Sequence, residues 1–189
     1  QLAHPHILPL HDSGEARYPG DDPGGGLPYY VMPYVEGESL RTRLDRERQL
    51  PVDEAVRIAR EVADALAYAH AHGVVHRDIK PENIILSPSG GKIADFGIAR
   101  IPDSTLTHAG GLMGTPAYSA PETFQAGAFS PESDQFALAA SMYEAISGKR
   151  AFPGDDAIAV AARIGSDPPT PMAAALGLRD AVDEVLARA

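Results

Sequence analysis

Apolar residues recur every three or four positions between Pro51 and His72, at Val56, Ala59, Val62, Ala63, Leu66 and Ala69. This spacing predicts one long amphipathic helix, ended by Gly73 just past its C-terminus. Phe136 to Ile146 is apolar nearly all round and follows Ser133-Asp134-Gln135, which reads as its cap. A helix of that kind is expected to be buried, each fully buried large side chain contributing ~1.5–3 kcal/mol. Ser39 is a candidate N-cap for a shorter helix, Leu40–Arg46, and two later helices are expected at Val160–Ile164 and Leu178–Arg188.

The strand signals are brief. Tyr29-Tyr30-Val31-Met32 is an apolar run broken by Pro33-Tyr34-Val35-Glu36-Gly37. Ile84-Ile85-Leu86 and Lys92-Ile93-Ala94 flank Ser87-Pro88-Ser89-Gly90-Gly91, which has the chemistry of a hairpin turn. Residues 11–28 are polar and rich in Gly and Pro, so they read as a surface loop. Gly24-Gly25-Gly26 lacks the G-x-G-x-x-G spacing of a phosphate cradle and reads as a hairpin tip.

Composition narrows the function classes. A chain of 189 residues, 44% hydrophobic and 22% charged, fits one globular domain with a substantial core. Its net charge of −10, with lysine only at positions 80, 92 and 149, argues against a nucleic-acid surface. With no cysteine there is neither a disulfide nor a thiolate metal site, in agreement with a reducing compartment. No apolar run is long enough for a membrane segment, and no signal peptide opens the chain. The chain begins at Gln1, inside a motif, and reads as a piece of a longer polypeptide.

The chemistry concentrates in His76-Arg77-Asp78-Ile79-Lys80-Pro81-Glu82-Asn83. A tight loop would bring the carboxylate of Asp78, the ammonium of Lys80 and the amide of Asn83 into one volume, and Pro81 restricts the backbone there. Such a trio can orient a hydroxyl, neutralise a migrating phosphoryl group and help hold Mg²⁺. Asp95-Phe96-Gly97 follows with a second hard-oxygen ligand, and the hairpin between sets its distance from Asn83. His70 and His72 have no carboxylate or thiolate at ligand spacing and read as surface and helix-end residues.

H-R-D-x-K-x-x-N followed by D-F-G, with Gly114-Thr115-Pro116-Ala117-Tyr118-Ser119-Ala120-Pro121-Glu122 downstream, resembles the catalytic domain of protein Ser/Thr kinases. The resemblance is strongest to the eukaryotic-like (Hanks-type) kinases of bacteria. It implies an α+β kinase-like fold: residues 1–35 would be a remnant of the small lobe and the hinge, and 36–189 the helical large lobe. It implies ATP and Mg²⁺ as cofactors, protein substrates with Ser or Thr acceptors, and a cytoplasmic domain, free or in a membrane-anchored parent. Asp78 and Lys80 would be catalytic, with Thr115 hydrogen-bonded to both, and Asn83 and Asp95 would hold the metal. Met32 would be the gatekeeper, while Pro33 through its carbonyl and Val35 through its N–H would meet adenine. Ile85 would floor the adenine ring, and Ser39 falls where the family contacts ribose as well as at a helix cap. Leu10 matches a strand position under the regulatory helix, and His4-Pro5-His6-Ile7 departs from the family's H-P-N-I at His6. His76 would pack on Phe96, and Asp134 would fasten the catalytic-loop backbone. Residues 104–111 read as a solvated linker or as an autophosphorylation segment in which Arg77 pairs with phosphate on Thr107, or else Thr105. The family's Gly-rich loop, strand lysine and helix glutamate do not occur in the chain and are expected upstream. The alternative is a catalytically silent scaffold of the same fold. A small-molecule phosphotransferase would not keep the G-T-P-x-Y-x-A-P-E segment.

Overall fold

The structure is a computed structural model that describes residues 2–16, 27–96, 116–154, 156–173 and 177. β1 (Asp12–Ala16) pairs antiparallel with β2 (Leu27–Val31). The chain then runs through β3 (Glu38–Ser39), α1 (Leu40–Glu47) and α2 (Val52–Ala71). A 3₁₀ turn at Pro81–Asn83 leads into β4 (Ile84–Ser87) and β5 (Gly90–Ile93), which with β3 form a three-stranded antiparallel sheet. A second 3₁₀ turn, Pro116–Tyr118, precedes α3 (Pro121–Ala126), α4 (Pro131–Ser147) and α5 (Ala157–Ser166). α2 packs on α4 on one side and on β5 on another, so the sheet and the helices share one core.

The segment expected as a loop between 11 and 28 contains a strand. β1 reads Asp-Ser-Gly-Glu-Ala and has no alternating apolar signal, so its partner supplies the order. The ring of Tyr29 lies over Gly14, where an added Cβ would meet ring carbon Cζ at 2.8 Å, and it covers backbone that glycine leaves bare. Leu10 falls ahead of this strand rather than within it.

α2 ends as expected at a left-handed Gly73, with φ of 73°. Its buried stripe, however, is Ala55, Ile58, Val62, Ala65, Leu66 and Ala69, while Val56 and Ala63 are exposed. Val62, Leu66 and Ala69 fit either stripe. The larger Ile58 decides the matter and turns the buried face by less than one residue step of about 100°.

α4 starts at Pro131 rather than Phe136. Ser130 is its cap: its Oγ accepts from Ser133 N at 3.3 Å while Ser133 Oγ accepts from Ser130 N at 2.9 Å. Ser133 is thus the third helical residue of a capping box, and Pro131 takes the first position, where a missing N–H costs nothing. The run from Ala140 to Ile146 is buried as expected. Ser39 caps α1, accepting from Thr42 N at 3.1 Å. Val160–Ile164 lies inside α5, whereas Leu178–Arg188 and the triple glycine fall outside the described residues. Among the described residues no helix is long and apolar enough to cross a membrane.

Candidate active site

The loop from Val74 to Asn83 is fastened at several points. Ile79 is 2% exposed and Ile84 fully buried, which plants the loop in the core on both sides of Lys80. Asp134, in the first turn of α4 and 1% exposed, accepts from the backbone N–H groups of His76 at 2.8 Å (Oδ2) and Arg77 at 2.9 Å (Oδ1). His70 Nε2 donates to the same Oδ2 at 2.8 Å. The helix N-terminus favours a carboxylate there, and the three donors replace the water it gave up. His70 is therefore not the surface residue expected from sequence; its bond from α2 joins helix, loop and α4.

His76 is fully buried. Its Nδ1 lies 3.2 Å from Asp78 N and accepts that N–H, while Nε2 donates to Ala94 O at 2.9 Å. One nitrogen accepts and the other donates, so the ring is neutral. Burial pushes its pKa below the ordinary imidazole value. The ring meets Phe96 edge-on with centroids 4.6 Å apart.

With the backbone so held, Lys80 Nζ donates to Asp78 Oδ2 at 2.7 Å. Asn83 Nδ2 donates to Asp78 O at 2.7 Å and to Oδ2 at 3.1 Å. Both of these bonds use the amide nitrogen, which directs the Oδ1 acceptor of Asn83 elsewhere. The Asp78 side chain is 41% exposed, so its carboxylate is gathered by the loop yet open to an incoming group. Asp95 follows directly on Ala94, whose N–H is bonded to Asn83 O at 2.9 Å, so the hairpin brings its two ends side by side. Two non-glycine residues here adopt left-handed backbone, Arg77 at φ 73° and Asp95 at φ 59°. Such conformations cost ~1–3 kcal/mol each and persist where surrounding structure enforces them.

The nucleotide candidates are divided. Met32 and Asp95 line one cavity of about 630 Å³ together with Leu8, Leu10, Val74 and Phe96. Pro33, Val35, Ser39 and Ile85 are not on its wall, although Ser39 and Ile85 are direct register partners across β3 and β4. Arg77 is exposed, with its guanidinium 5.9 Å from the centre of the Phe129 ring. Thr105, Thr107 and Thr115 lie outside the described residues.

A further network was not anticipated. Arg41 of α1 binds Glu144 of α4 in bidentate fashion, both contacts at 3.0 Å, and reaches Tyr118 OH at 2.6 Å and Glu82 at 3.2 Å. Tyr118 OH also donates to Glu144. The bond to Glu144 raises the Arg41 pKa above its ordinary value, and burial followed by Glu144 raises that of Tyr118. A lone carboxylate within the apolar stretch of α4 was the available signal, since such a group is buried only with a partner.

The chain matches the protein kinase domain family over residues 1–172. It is 43% identical over 173 residues to serine/threonine-protein kinase PknA of Mycobacterium tuberculosis, an alignment covering 90% of this chain and 39% of that protein. It is 36% identical over 193 aligned positions to serine/threonine-protein kinase PknB of the same organism, covering 100% of this chain and 30% of that protein. The chain thus spans well under half the length of these curated relatives. With the family model covering most of its residues, and with an α+β architecture that gathers the H-R-D-x-K-x-x-N loop beside Asp95 and Phe96, the chain belongs to the protein kinase domain family.

Proposed function

We propose that this chain supplies the phosphoryl-transfer core of a serine/threonine protein kinase, moving the γ-phosphoryl group of ATP to a Ser or Thr hydroxyl of a protein substrate. The observation that carries this reading is the Asp78 carboxylate, open to solvent yet bonded to Lys80 at 2.7 Å and Asn83 at 3.1 Å within one loop. Similarity to kinases named for serine and threonine supports the acceptor class, as does a lysine two residues after the aspartate.

Asp78 orients the acceptor hydroxyl and takes its proton as the oxygen attacks the γ-phosphorus, whose bond to the β–γ bridging oxygen breaks to release ADP; the role is generally worth ~10²–10⁴-fold. Lys80 carries its ammonium to the γ-phosphate oxygens, where negative charge collects. Asn83 Oδ1 and the Asp95 carboxylate are the hard-oxygen donors that would hold Mg²⁺. When bound, that ion neutralises charge between the β- and γ-phosphates. Met32, Pro33, Val35, Ser39 and Ile85 receive the nucleotide, with residues 1–35 belonging to a small lobe and 36–189 to a large one. Thr115 supports Asp78 and Lys80. Arg77 pairs with phosphate on Thr107, or else Thr105.

The test is transfer of labelled γ-phosphate to a Ser/Thr substrate by the protein that carries this chain. Asp78→Asn is expected to abolish transfer with the circular-dichroism melt preserved. Transfer at the wild-type rate would falsify the role.

A further inference from the structure

Arg41 lies outside the catalytic loop and outside the 630 Å³ cavity, yet its guanidinium is the junction of four elements. Nη1 and Nη2 grip Glu144 on the central helix α4, Nε reaches Glu82 in the turn that carries Asn83, and Nη2 meets Tyr118. Arg41 itself sits one residue into α1, the helix that follows residues 32–37. The side chains of Arg41 and Glu144 are 21% and 11% exposed, so this is a largely desolvated ion pair with its geometry fixed by both forks.

Tyr118 is what makes the junction matter for reaction. It is 4% exposed, and with Ser119 and Ala120 it lines the same cleft as Asp78 and Lys80. Segment 118–120 is therefore a wall of the cleft that Asp78 and Lys80 also line. The 3₁₀ turn that ends at Tyr118 is a single turn, too short to hold its own position, and α3 after it has only six residues. The Tyr118 hydroxyl instead takes its place from Glu144 and Arg41.

We infer that Arg41 is a positioning residue for the acceptor peptide: through Glu144 and Tyr118 it sets the distance between the 118–120 wall and the Asp78–Lys80 pair. This rests on the phosphotransferase reading above. A guanidinium is required because one planar group must serve both oxygens of Glu144 while a third N–H faces Glu82; an ammonium is a point donor and reaches fewer of them. The inference separates two substrates of one reaction: displacement of the wall weakens peptide binding and leaves the nucleotide contacts proposed at Met32, Pro33 and Val35, ahead of α1, as they were.

The experiment is steady-state kinetics with a Ser/Thr peptide and ATP, on the protein that carries this chain. The variants are Arg41→Ala, Tyr118→Phe and the double variant Arg41→Gln/Glu144→Gln, each paired with a thermal melt. Arg41→Ala is expected to raise the peptide KM about tenfold while the ATP KM stays within about twofold, and to lower Tm because Glu144 loses its partner. The double variant leaves no unpaired buried charge; it is expected to recover Tm and keep the raised peptide KM. Tyr118→Phe is expected to raise the peptide KM about threefold with little change in Tm. Recovery of the peptide KM together with Tm in the double variant would overturn the inference, as would parallel rises in both KM values. A wild type that phosphorylates no Ser/Thr peptide would overturn the phosphotransferase reading itself, and this inference with it.

Discussion

Asp134→Asn changes one heavy atom and asks whether a single carboxylate holds the loop from Val74 to Asn83 in place. Its Oδ1 accepts from Arg77 N at 2.9 Å, while Oδ2 accepts from His76 N at 2.8 Å and from His70 Nε2 at 2.8 Å. An asparagine whose carbonyl takes the Oδ2 place keeps the latter pair but turns an NH₂ group toward the Arg77 N–H. One charge-assisted bond is lost and one donor is orphaned, at a cost of about 1.5–3 kcal/mol. For a chain of this size that is a Tm lower by roughly 3–12 °C. Asp134→Ala orphans all three donors and costs about 3–6 kcal/mol. The bond to Asp134 Oδ1 holds the Arg77 N–H while its backbone sits at φ 73°, so release of that residue is the specific signature. Thermal unfolding by circular dichroism reads the stability, and amide hydrogen exchange reads the loop. The Arg77 and His76 amides should lose protection in Asp134→Asn more than those of β5 do. A melt within 1 °C of wild type, on the scale of about 2–4 °C per kcal/mol, with unchanged exchange at Arg77, would refute the reasoning.

Three further outcomes are expected. His76 is neutral in the fold and its pKa is depressed by burial, so its contribution is complete above the unfolded imidazole value near 6.5 and is lost as pH falls below it. Urea titrations should show stability dropping below that pH by at most about 1.4 kcal/mol per pH unit from this group, and His76→Gln should flatten that slope; an unchanged slope would contradict the neutral assignment. On α2, Ile58→Ala should cost about 2–5 kcal/mol and Val56→Ala under about 0.5 kcal/mol, and a reversed order in denaturant midpoints would return the buried face to the sequence-based stripe. Ser130→Ala should cost about 0.5–2 kcal/mol, larger than Ser133→Ala at the other half of the capping box; equal melts for Ser130→Ala and wild type would move the helix start.

Much of the site was readable because its residues are close in sequence. Asp78, Lys80 and Asn83 lie within six positions, and Pro81 leaves the loop few ways to turn. The hairpin Ile84–Ile93 was legible from its turn residues, although the strands run closer to the turn than expected, leaving Pro88 and Ser89 between them. What local pattern could not give was pairing at long range. β1 is ordered by a partner strand whose residues stand 11 to 19 positions further on, and its own composition argues for loop. The register of α2 depended on which neighbours it meets, so Val56 and Ile58 were indistinguishable by period alone. Arg41 and Glu144 stand 103 positions apart, and His70 and Asp134 stand 64 apart. Neither pair leaves a mark in any window of sequence except a charged residue in an apolar context.

The central claim is that Asn83 and Asp95 share one divalent cation bound to nucleotide beside Asp78. Mn²⁺ in place of Mg²⁺, added with a non-hydrolysable ATP analogue, broadens NMR signals near the ion. The account predicts selective broadening of the Asn83 side-chain amide and of the Asp95 backbone amide, dependent on nucleotide and lost in Asp95→Ala. Broadening confined to one of the two, or centred on another part of the chain, would contradict it.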